Sequence, residues 1–225
     1  RLEANTPERK VLEIVDFLNN DDEVDGFIVQ LPLPAHISVD KVIGRIRPDK
    51  DVDGFHPVNI GKMVLGVPAY ISATPYGIIT MLDRYGIETE GKHCVVLGRS
   101  NIVGTPISIL LSRKVKPGNC TVTLCHTRTP NIKELAATAD ILIAAIGQPE
   151  YVTADMVKKG AVVIDVGIHR IPDETKEKGY HMTGDVKFDE VSPKCSFITP
   201  VPGGVGLMTV VSLLMNTMKA YNKEV

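Results

Sequence analysis

Three aspartates at alternate positions, Asp49, Asp51 and Asp53, precede a glycine in the segment RPDKDVDGFHP, residues 47–57. Carboxylates at this spacing, followed by glycine, open a calcium loop of the EF-hand type, which a bidentate glutamate completes six residues after the glycine. That position is Ile60, which has no ligating atom. The segment therefore does not predict a calcium site, and its carboxylates need another role.

The three carboxylates are expected to differ in what they contact. Aspartates in turns commonly accept hydrogen bonds from nearby backbone N–H groups. We expect Asp49 and Asp51 to cap the turn in this way and to face solvent. Asp53 is followed by Gly54, which lets the chain approach a bound molecule closely. On the residues alone, a tight turn and a substrate-binding carboxylate both remain open for Asp53.

A second candidate site is the segment VVLGRSNIVGTP, residues 95–106, where a predicted strand turns into a predicted helix. Gly98 and Gly104 bracket the turn, although Ser100 occupies the second glycine position of a G-x-G-x-x-G motif. Free N–H groups at a helix N-terminus attract a pyrophosphate, and the Ser100 hydroxyl can donate to a phosphate oxygen. The segment predicts a dinucleotide site, with a plain strand–helix turn as the alternative.

The next strand shows which dinucleotide the site favours. An NAD site usually places an acidic residue at the end of the second strand, where it binds the ribose hydroxyls. Here that strand ends in CHTRT, residues 125–129, without an acid. Thr127 and Arg128, with Arg99 of the first turn, can hold a ribose phosphate. The pattern favours NADP, unless these arginines are ordinary surface residues.

Composition excludes several classes of protein. The chain has 225 residues and a net charge of −2, which leaves no excess of Lys and Arg for a general nucleic-acid or membrane-surface binder. Its six histidines are scattered without metal-ligand spacing, so we expect no metal. The four cysteines form no C-x-x-C pair, which is typical of a reducing compartment, and we expect a cytoplasmic protein.

The predicted elements place these residues on an α/β framework. We expect a helix that Thr6 caps, a strand over residues 25–34, and a short helix that Ser38 caps. A further helix is expected to have Thr74 as its cap and Pro75 as its first residue. Strands then alternate with helices up to residue 167, and one of these helices is expected over residues 153–160. A last helix starts at residue 207. Alternation with continuous apolar strands is typical of a doubly wound parallel sheet.

Seven motifs in this order closely resemble the bifunctional methylenetetrahydrofolate dehydrogenase/methenyltetrahydrofolate cyclohydrolase family. They cover essentially the whole chain and read VQLPLP, KDVDGFHP, ATPYG, GRSNIVGTP, CHTRT, IDVGI and TPVPGGVGLMT. The resemblance implies NADP-dependent oxidation of methylenetetrahydrofolate, followed by hydrolysis of the methenyl product to formyltetrahydrofolate. It also implies a place in one-carbon metabolism and purine biosynthesis, and a homodimer.

The resemblance implies two α/β domains with a folate cleft between them, the second domain being a Rossmann-like doubly wound parallel sheet. Residues 1–72 are expected to form part of the folate and catalytic domain. Residues 73–200 are expected to form the NADP-binding domain. Residues 201–225 are expected to supply a folate loop and a C-terminal helix that returns to the first domain.

The resemblance also implies roles for individual residues. Gln30 would orient a catalytic lysine, and Asp53 would hold the amino and ring N–H groups of the pterin. The other folate contacts would be Val29, Leu31, Pro202, Gly203, Gly204, Val205 and Gly206. The NADP contacts would be Gly98, Arg99, Ser100, Thr127 and Ile168.

Three features depart from the family pattern. The family's catalytic tyrosine and lysine stand four residues apart on an upstream helix, and no Tyr-x-x-x-Lys occurs in this sequence. We expect roughly 60–70 upstream residues of the family to be absent. If the 225 residues were the entire polypeptide, NADP binding without useful cyclohydrolase activity would be expected. Ala73 replaces the usual cysteine, and Leu207 replaces the usual proline.

Two other functions remain open on the sequence. A different two-domain NADP-dependent dehydrogenase, acting on a small hydroxy or keto acid, would use a lysine–aspartate pair, for which Lys50 and Asp53 are candidates. A nucleotide-binding module without catalytic activity would fit the missing lysine. Binding of a folate would distinguish the folate enzyme from both.

Overall fold

The computed structural model describes residues 2–225, which divide into two compact units. The first unit contains the residues up to Ala73 together with Ser212–Val225. The second unit is Thr74–Val211. Each unit has its own buried apolar core.

The first unit is built on three helices. They are α1 (Glu8–Asn20), α2 (Val39–Arg45) and α3 (Pro57–Leu65). Val11 and Val15 lie one turn apart on the buried face of α1 and pack with Val42 and Ile43 of α2. Apolar residues at this spacing form a single stripe, so α1 and α2 share one core.

Two local predictions for this unit have different outcomes. The Ser38 cap is confirmed, because its side chain accepts a hydrogen bond from the Lys41 N–H. The strand predicted over residues 25–34 is wrong, since the structure contains only an isolated bridge between Phe27 and Asp51 there. Prolines at two positions of this segment lack the N–H that a ladder needs. Helix α1 also begins after Pro7, so the Thr6 cap is wrong by one residue.

The second unit contains a parallel five-stranded sheet in the order β2-β1-β3-β4-β7. Its strands are β1 (His93–Leu97), β2 (Thr121–Cys125), β3 (Ile141–Ala144), β4 (Val162–Asp165) and β7 (Phe197–Ile198). Every residue of β3 and β4 is buried, as expected for central strands covered on both faces. The sequence predicts β1 to β4 correctly. Strand β2 lies on one side of β1 and strand β3 on the other, so the strand order reverses at β1.

Helices α4 (Ala73–Arg84), α5 (Gly104–Ser112), α6 (Ile132–Ala136) and α7 (Phe188–Val191) accompany this sheet. Helix α4 begins at Ala73, so Thr74 lies inside its first turn and the predicted Thr74 cap is wrong. The predicted helix over residues 153–160 is also wrong, because only a 3₁₀ turn, Ala154–Met156, forms there. Gly160, the last residue of the predicted helix, adopts a positive φ of 80° in the turn that leads into β4.

An antiparallel hairpin, β5 (His169–Pro172) and β6 (Tyr180–Thr183), follows the carboxyl end of β4. The sequence pattern predicted no strand here. The two strands pair from His169 with Thr183 to Pro172 with Tyr180. The hairpin brings residue 185 back beside the end of β4, where the Asp185 N–H donates to the Asp165 carboxylate.

The last helix, α8 (Val205–Tyr221), begins two residues earlier than predicted. Its residues from Ser212 onward belong to the first unit. Asn216 Nδ2 donates to Val52 O at 2.9 Å and to Ile71 O at 2.8 Å, which ties the segment before Asp53 to the segment after α3. Within residues 2–225, no helix is long and apolar enough to cross a bilayer.

Candidate active site

Asp53 lies in the turn that precedes helix α3. The side chain is partly buried, and it has no hydrogen-bond or ion-pair partner in the described part of the chain. Burial, with the nearby Asp51 carboxylate as a second cause, raises the pKa of Asp53 to about 6. A partly buried carboxylate that no protein donor satisfies is suited to accept N–H donors from a bound molecule.

Asp51 has the opposite role, and the expectation that it faces solvent is wrong. Only 1% of Asp51 is exposed. Its Oδ2 accepts from the His56 N–H at 2.8 Å and from Asn59 Nδ2 at 2.9 Å. Burial raises the pKa of Asp51, while the Asn59 and backbone donors lower it. Asp51 therefore organises the turn, whereas Asp49 is exposed as expected and pairs with Arg47.

Gly54 is needed for the shape of this turn. It has a φ of +71°, and a Cβ there would lie 2.7 Å from Tyr70 O. Ser72 Oγ donates to Gly54 O at 3.2 Å, so the turn is fixed against the segment that follows α3. Backbone this closely packed holds Asp53 in one position.

The VQLPLP segment lies beside this turn. An isolated parallel bridge joins Phe27 to Asp51, two residues before Val29 and Asp53 in their segments. Gln30 is exposed, and its Nε2 donates only to the neighbouring Leu31 O, at 3.0 Å. The structure thus brings Val29, Gln30, Leu31 and Asp53 together in one unit.

Lys50, the alternative partner of Asp53, is occupied elsewhere. It is 7% exposed, and its Nζ donates to Leu18 O at 3.0 Å and to Asp21 O at 2.6 Å. These carbonyls belong to the C-terminal end of α1, where a cation is favourable. A lysine held in this way is structural, which removes the pair that a small-acid dehydrogenase would need.

In the second unit, the carboxyl ends of the strands form the predicted nucleotide edge. Gly98 has a φ of +113°, and a Cβ there would lie 2.0 Å from Ala145 O. A Cβ on Gly104 would lie 2.0 Å from Gly98 O. Both glycines are therefore required for the turn to close against its own helix and against the end of β3.

Ser100 lies in the turn that leads into helix α5. Its Oγ accepts from the Val103 N–H at 3.1 Å and from the Gly104 N–H at 3.4 Å. Its hydroxyl hydrogen remains available to donate to a phosphate. The neighbouring Arg99 side chain is exposed and has no partner among the residues that the structure describes.

The end of β2 presents Thr127 and Arg128 to solvent. His126 N–H donates to Thr129 Oγ1 at 2.9 Å, and Arg128 N–H donates to His126 Nδ1 at 3.1 Å. The Gly98 N–H donates to Cys125 O at 2.8 Å, which sets this turn beside the glycine turn. His126 and Thr129 thus build the turn, a role that the sequence analysis missed.

The remaining predicted contacts also lie in the second unit. Ile168 is 59% exposed and follows β4. A Cβ on Gly206 would lie 3.5 Å from Ile168 Cδ1, so the loop over residues 202–206 adjoins the nucleotide edge. Gly203 and Gly204 of this loop also line an apolar hollow of about 270 Å³.

Buried carboxylates support the ends of β3 and β4, and the sequence analysis did not identify them. Asp165 accepts from the Gly167, Asp185 and Val186 N–H groups at 2.9–3.0 Å. Burial raises the pKa of Asp165 to about 6, despite these donors. Asp185, which is fully buried, accepts from His169 and from the Gly147 N–H. In the sequence, the local sign of these carboxylates is the Gly-Asp pair at residues 184–185.

Comparison with known proteins identifies the family. The model of the tetrahydrofolate dehydrogenase/cyclohydrolase NAD(P)-binding domain matches residues 72–225. The model of the catalytic domain of the same family matches residues 1–53. The chain belongs to the tetrahydrofolate dehydrogenase/cyclohydrolase family. The predicted family is thus confirmed, and with it the NADP-linked dehydrogenase and cyclohydrolase function and the use of NADP.

Relatives of known name agree with this assignment. The bifunctional protein FolD of Porphyromonas gingivalis is 63% identical over 220 residues, which are 98% of this chain and 74% of the relative. The FolD structure from Campylobacter jejuni has a TM-score of 0.91 and 44% identity, covering 100% of this chain and 76% of that one.

A dehydrogenase-cyclohydrolase of Trypanosoma brucei, solved with NADP cofactor and inhibitor, has a TM-score of 0.92 and 37% identity. The match covers 99% of this chain and 75% of that one. These structures confirm the predicted α/β fold class, with its Rossmann-like sheet. Within the described part of this family member, no cluster of three or more His, Cys, Asp or Glu side chains could hold a metal.

Proposed function

We propose that Asp53 is the carboxylate by which this dehydrogenase/cyclohydrolase binds its folate. The observation that carries this assignment is the lack of any partner for Asp53 among residues 2–225. The amino and ring N–H groups of a pterin form a row of donors that a carboxylate can accept together. Asp51, Gly54 and Ser72 hold the turn, so binding requires little reordering of the chain.

Gln30, Val29 and Leu31 would form the adjoining part of the folate site. The Gln30 side chain is exposed and bonds only to its own neighbour, so it can turn toward a substrate or a catalytic lysine at little cost. The loop from Pro202 to Gly206, which adjoins Ile168, would contact the folate near the nicotinamide. In this proposal Asp53 orients the substrate and Gln30 orients the catalytic base.

NADP would bind along the carboxyl ends of the parallel strands of the second unit. A dinucleotide crosses the point where strand order reverses, with its pyrophosphate at the first glycine turn. Gly98 and Ser100 would hold the pyrophosphate. Thr127, with the unpartnered guanidinium groups of Arg99 and Arg128, would hold the 2′-phosphate of the adenosine ribose.

The nicotinamide half would then lie on the other side of the point where strand order reverses, along the ends of β3 and β4. Gly147 and Gly167 lie there, and Ile168 presents an exposed apolar side chain. NADP⁺, when bound, accepts a hydride from the one-carbon bridge of the folate. The exposed Ile168 side chain would pack on the nicotinamide ring and help exclude water from it.

These assignments give each part of the chain a proposed role. Residues 1–72 would supply folate contacts, residues 73–200 would bind NADP, and residues 201–225 would supply the folate loop and the returning helix. The activity would serve one-carbon supply for purine biosynthesis in the cytoplasm, with no nucleic-acid or membrane partner.

We also propose a homodimer. Strand β2 lies at the edge of the sheet, and its Leu124 is 37% exposed, which leaves an edge that a second copy can cover. Sedimentation should give twice the chain mass, and Leu124→Lys should shift the protein toward monomer. A monomeric parent protein would contradict the proposal.

Two titrations test the proposed function as a whole. NADP⁺ and a non-reactive folate analogue are added to the protein separately, and then together, while binding heat is recorded. The folate enzyme should bind both ligands. Binding of NADP⁺ without any response to the folate analogue would favour a nucleotide-binding module without catalysis.

A further inference from the structure

We infer that Asp185 is a positioning residue for the nicotinamide half of the cofactor. Asp185 lies outside every cofactor-binding motif of the sequence, yet no part of its side chain is exposed. Its two carboxylate oxygens bind two different segments. The inference rests on the proposed placement of NADP along the ends of β3 and β4.

The first segment is the loop after β3. The Gly147 N–H donates to Asp185 Oδ2 at 2.8 Å. Gly147 has a φ of +76°, so the loop turns sharply at this point. Two residues earlier, Ala145 O lies against Gly98, where even a Cβ would approach to 2.0 Å. The Asp185 carboxylate therefore fixes the loop that borders the first nucleotide turn.

The second segment is the start of the hairpin. His169 Nε2 lies 2.7 Å from Asp185 Oδ1, and His169 is the residue directly after Ile168. With Nε2–H donating to the carboxylate, the imidazole ring has one fixed orientation. The exposed Ile168 side chain is thereby held at the end of β4, where the nicotinamide ring is proposed to lie.

A second carboxylate fixes Asp185 itself. Asp165 at the end of β4 accepts from the backbone N–H groups of Gly167 and Asp185. Gly167 has no room for a side chain, since a Cβ there would lie 2.3 Å from Asp185 Oδ1. Buried charges that are fully hydrogen-bonded give one defined arrangement, and loss of one partner leaves the others unsatisfied. The geometry thus links the ends of β3 and β4 through one side chain.

The hairpin offers a matched control pair at its other end. His181 Nδ1 lies 3.1 Å from Asp173 Oδ2, so a second His–Asp pair joins the same two strands. This pair is more exposed, with 41% and 21% of the two side chains accessible. Within residues 2–225, the other side-chain hydrogen bonds of this pair join Asp173 to Thr175 in the hairpin turn. Asp173→Asn therefore alters a similar His–Asp hydrogen bond and leaves the proposed cofactor site intact.

The test compares Asp185→Asn with Asp173→Asn in binding two probes, NADP⁺ and adenosine 2′,5′-bisphosphate, which lacks the nicotinamide half. In Asp185→Asn the affinity for NADP⁺ should fall roughly tenfold, the effect of losing one charge-assisted hydrogen bond. The affinity for the adenosine bisphosphate should stay within about twofold of the parent value. Asp173→Asn should leave both affinities unchanged.

The outcomes separate a positioning role from a structural one. Equal losses for both probes in Asp185→Asn would show general damage to the domain and would overturn the inference, as would unchanged NADP⁺ affinity. If Asp185→Asn does not fold, His169→Gln provides the same comparison, because it breaks one of the two links alone. Failure of the parent protein to bind NADP⁺ would instead count against the proposed function.

Discussion

Asn59 Nδ2 lies 2.9 Å from Asp51 Oδ2, and this buried hydrogen bond joins helix α3 to the turn that carries Asp53. The same amide donates to Pro48 O at 2.9 Å, so one side chain holds both sides of the turn. The turn is thus organised from the protein interior, and Asp53 is the one carboxylate of the three without a partner in residues 2–225.

Replacing Asn59 with alanine should therefore destabilise the protein. The Pro48 carbonyl and the buried Asp51 carboxylate would each lose a donor, and the free energy of unfolding should fall by about 2 kcal/mol. Urea denaturation measures this change. The control is Asn222→Ala, whose exposed amide bonds only to Glu224 and which should change stability by less than about 0.5 kcal/mol. Equal effects of the two substitutions would contradict the role given to Asn59.

The raised pKa of Asp53 gives a pH dependence of stability with a definite sign. The pKa of about 6 in the folded protein exceeds the ordinary value of 3.8, so between these values the folded state binds more protons than the unfolded state. The contribution of Asp53 to stability is therefore greatest below about pH 4 and is lost as pH rises through 6. Asp53→Asn should stabilise the protein at pH 7 by about 1 kcal/mol, after allowing for solvent screening.

Denaturation at pH 4.5 and pH 7.5 checks this expectation. The stabilising effect of Asp53→Asn should be smaller at the lower pH, where the parent carboxyl is already protonated. Asp49→Asn is the control, because the pKa of Asp49 is lowered by its Arg47 partner against the effect of burial. A destabilising effect of Asp53→Asn at pH 7.5 would show that the carboxylate has a protein partner.

Gly98→Ala should disrupt the nucleotide turn. The new Cβ would lie 2.0 Å from Ala145 O, and φ is +113°, so the turn or the end of β3 must move. We expect NADP⁺ affinity to fall by at least about tenfold, with a clear loss of thermal stability. Gly61→Ala in helix α3 is the control, because no atom lies within 4 Å of its Cβ position. Gly61→Ala should be neutral or slightly stabilising. Unchanged NADP⁺ affinity in Gly98→Ala would rule out the turn as the pyrophosphate site.

The two unpartnered arginines should determine the preference for NADP over NAD. Arg99→Ala and Arg128→Ala each remove a cation that is proposed to meet the 2′-phosphate, so NADP⁺ affinity should fall about tenfold and NAD⁺ affinity should be nearly unchanged. Arg84→Ala, an exposed arginine at the end of α4, is the control. Equal losses of affinity for NADP⁺ and NAD⁺, or no loss of affinity for either, would show that these are ordinary surface arginines.

The sequence predicted the Rossmann-like unit well because its signals are local. Strand β3 and the first three residues of β4 are apolar runs, and Gly98 marks the turn whose backbone conformation requires glycine. The first unit was harder to predict. The apolar run over residues 25–34 has the composition of a strand, but its prolines prevent a ladder, and only the Phe27–Asp51 bridge forms.

Roles that depend on distant partners could not be predicted from local pattern. Asp49 and Asp51 were both expected to face solvent, and only packing with Asn59 of helix α3 shows that Asp51 is internal. Lys50 resembled a catalytic lysine until the carbonyls of α1 were placed around it. Asp185 became significant only when the β5–β6 hairpin brought it back to the end of β4.

The most direct test of the account is calorimetric titration of the parent protein, Asp53→Asn and Asp49→Asn with a non-reactive folate analogue and with NADP⁺. Asp53→Asn should weaken folate binding by at least about tenfold, because the pterin N–H groups lose a charged acceptor. Its NADP⁺ affinity, and both affinities of Asp49→Asn, should match the parent values. Equal losses of folate and NADP⁺ binding in Asp53→Asn, or folate binding at the parent affinity, would contradict the account.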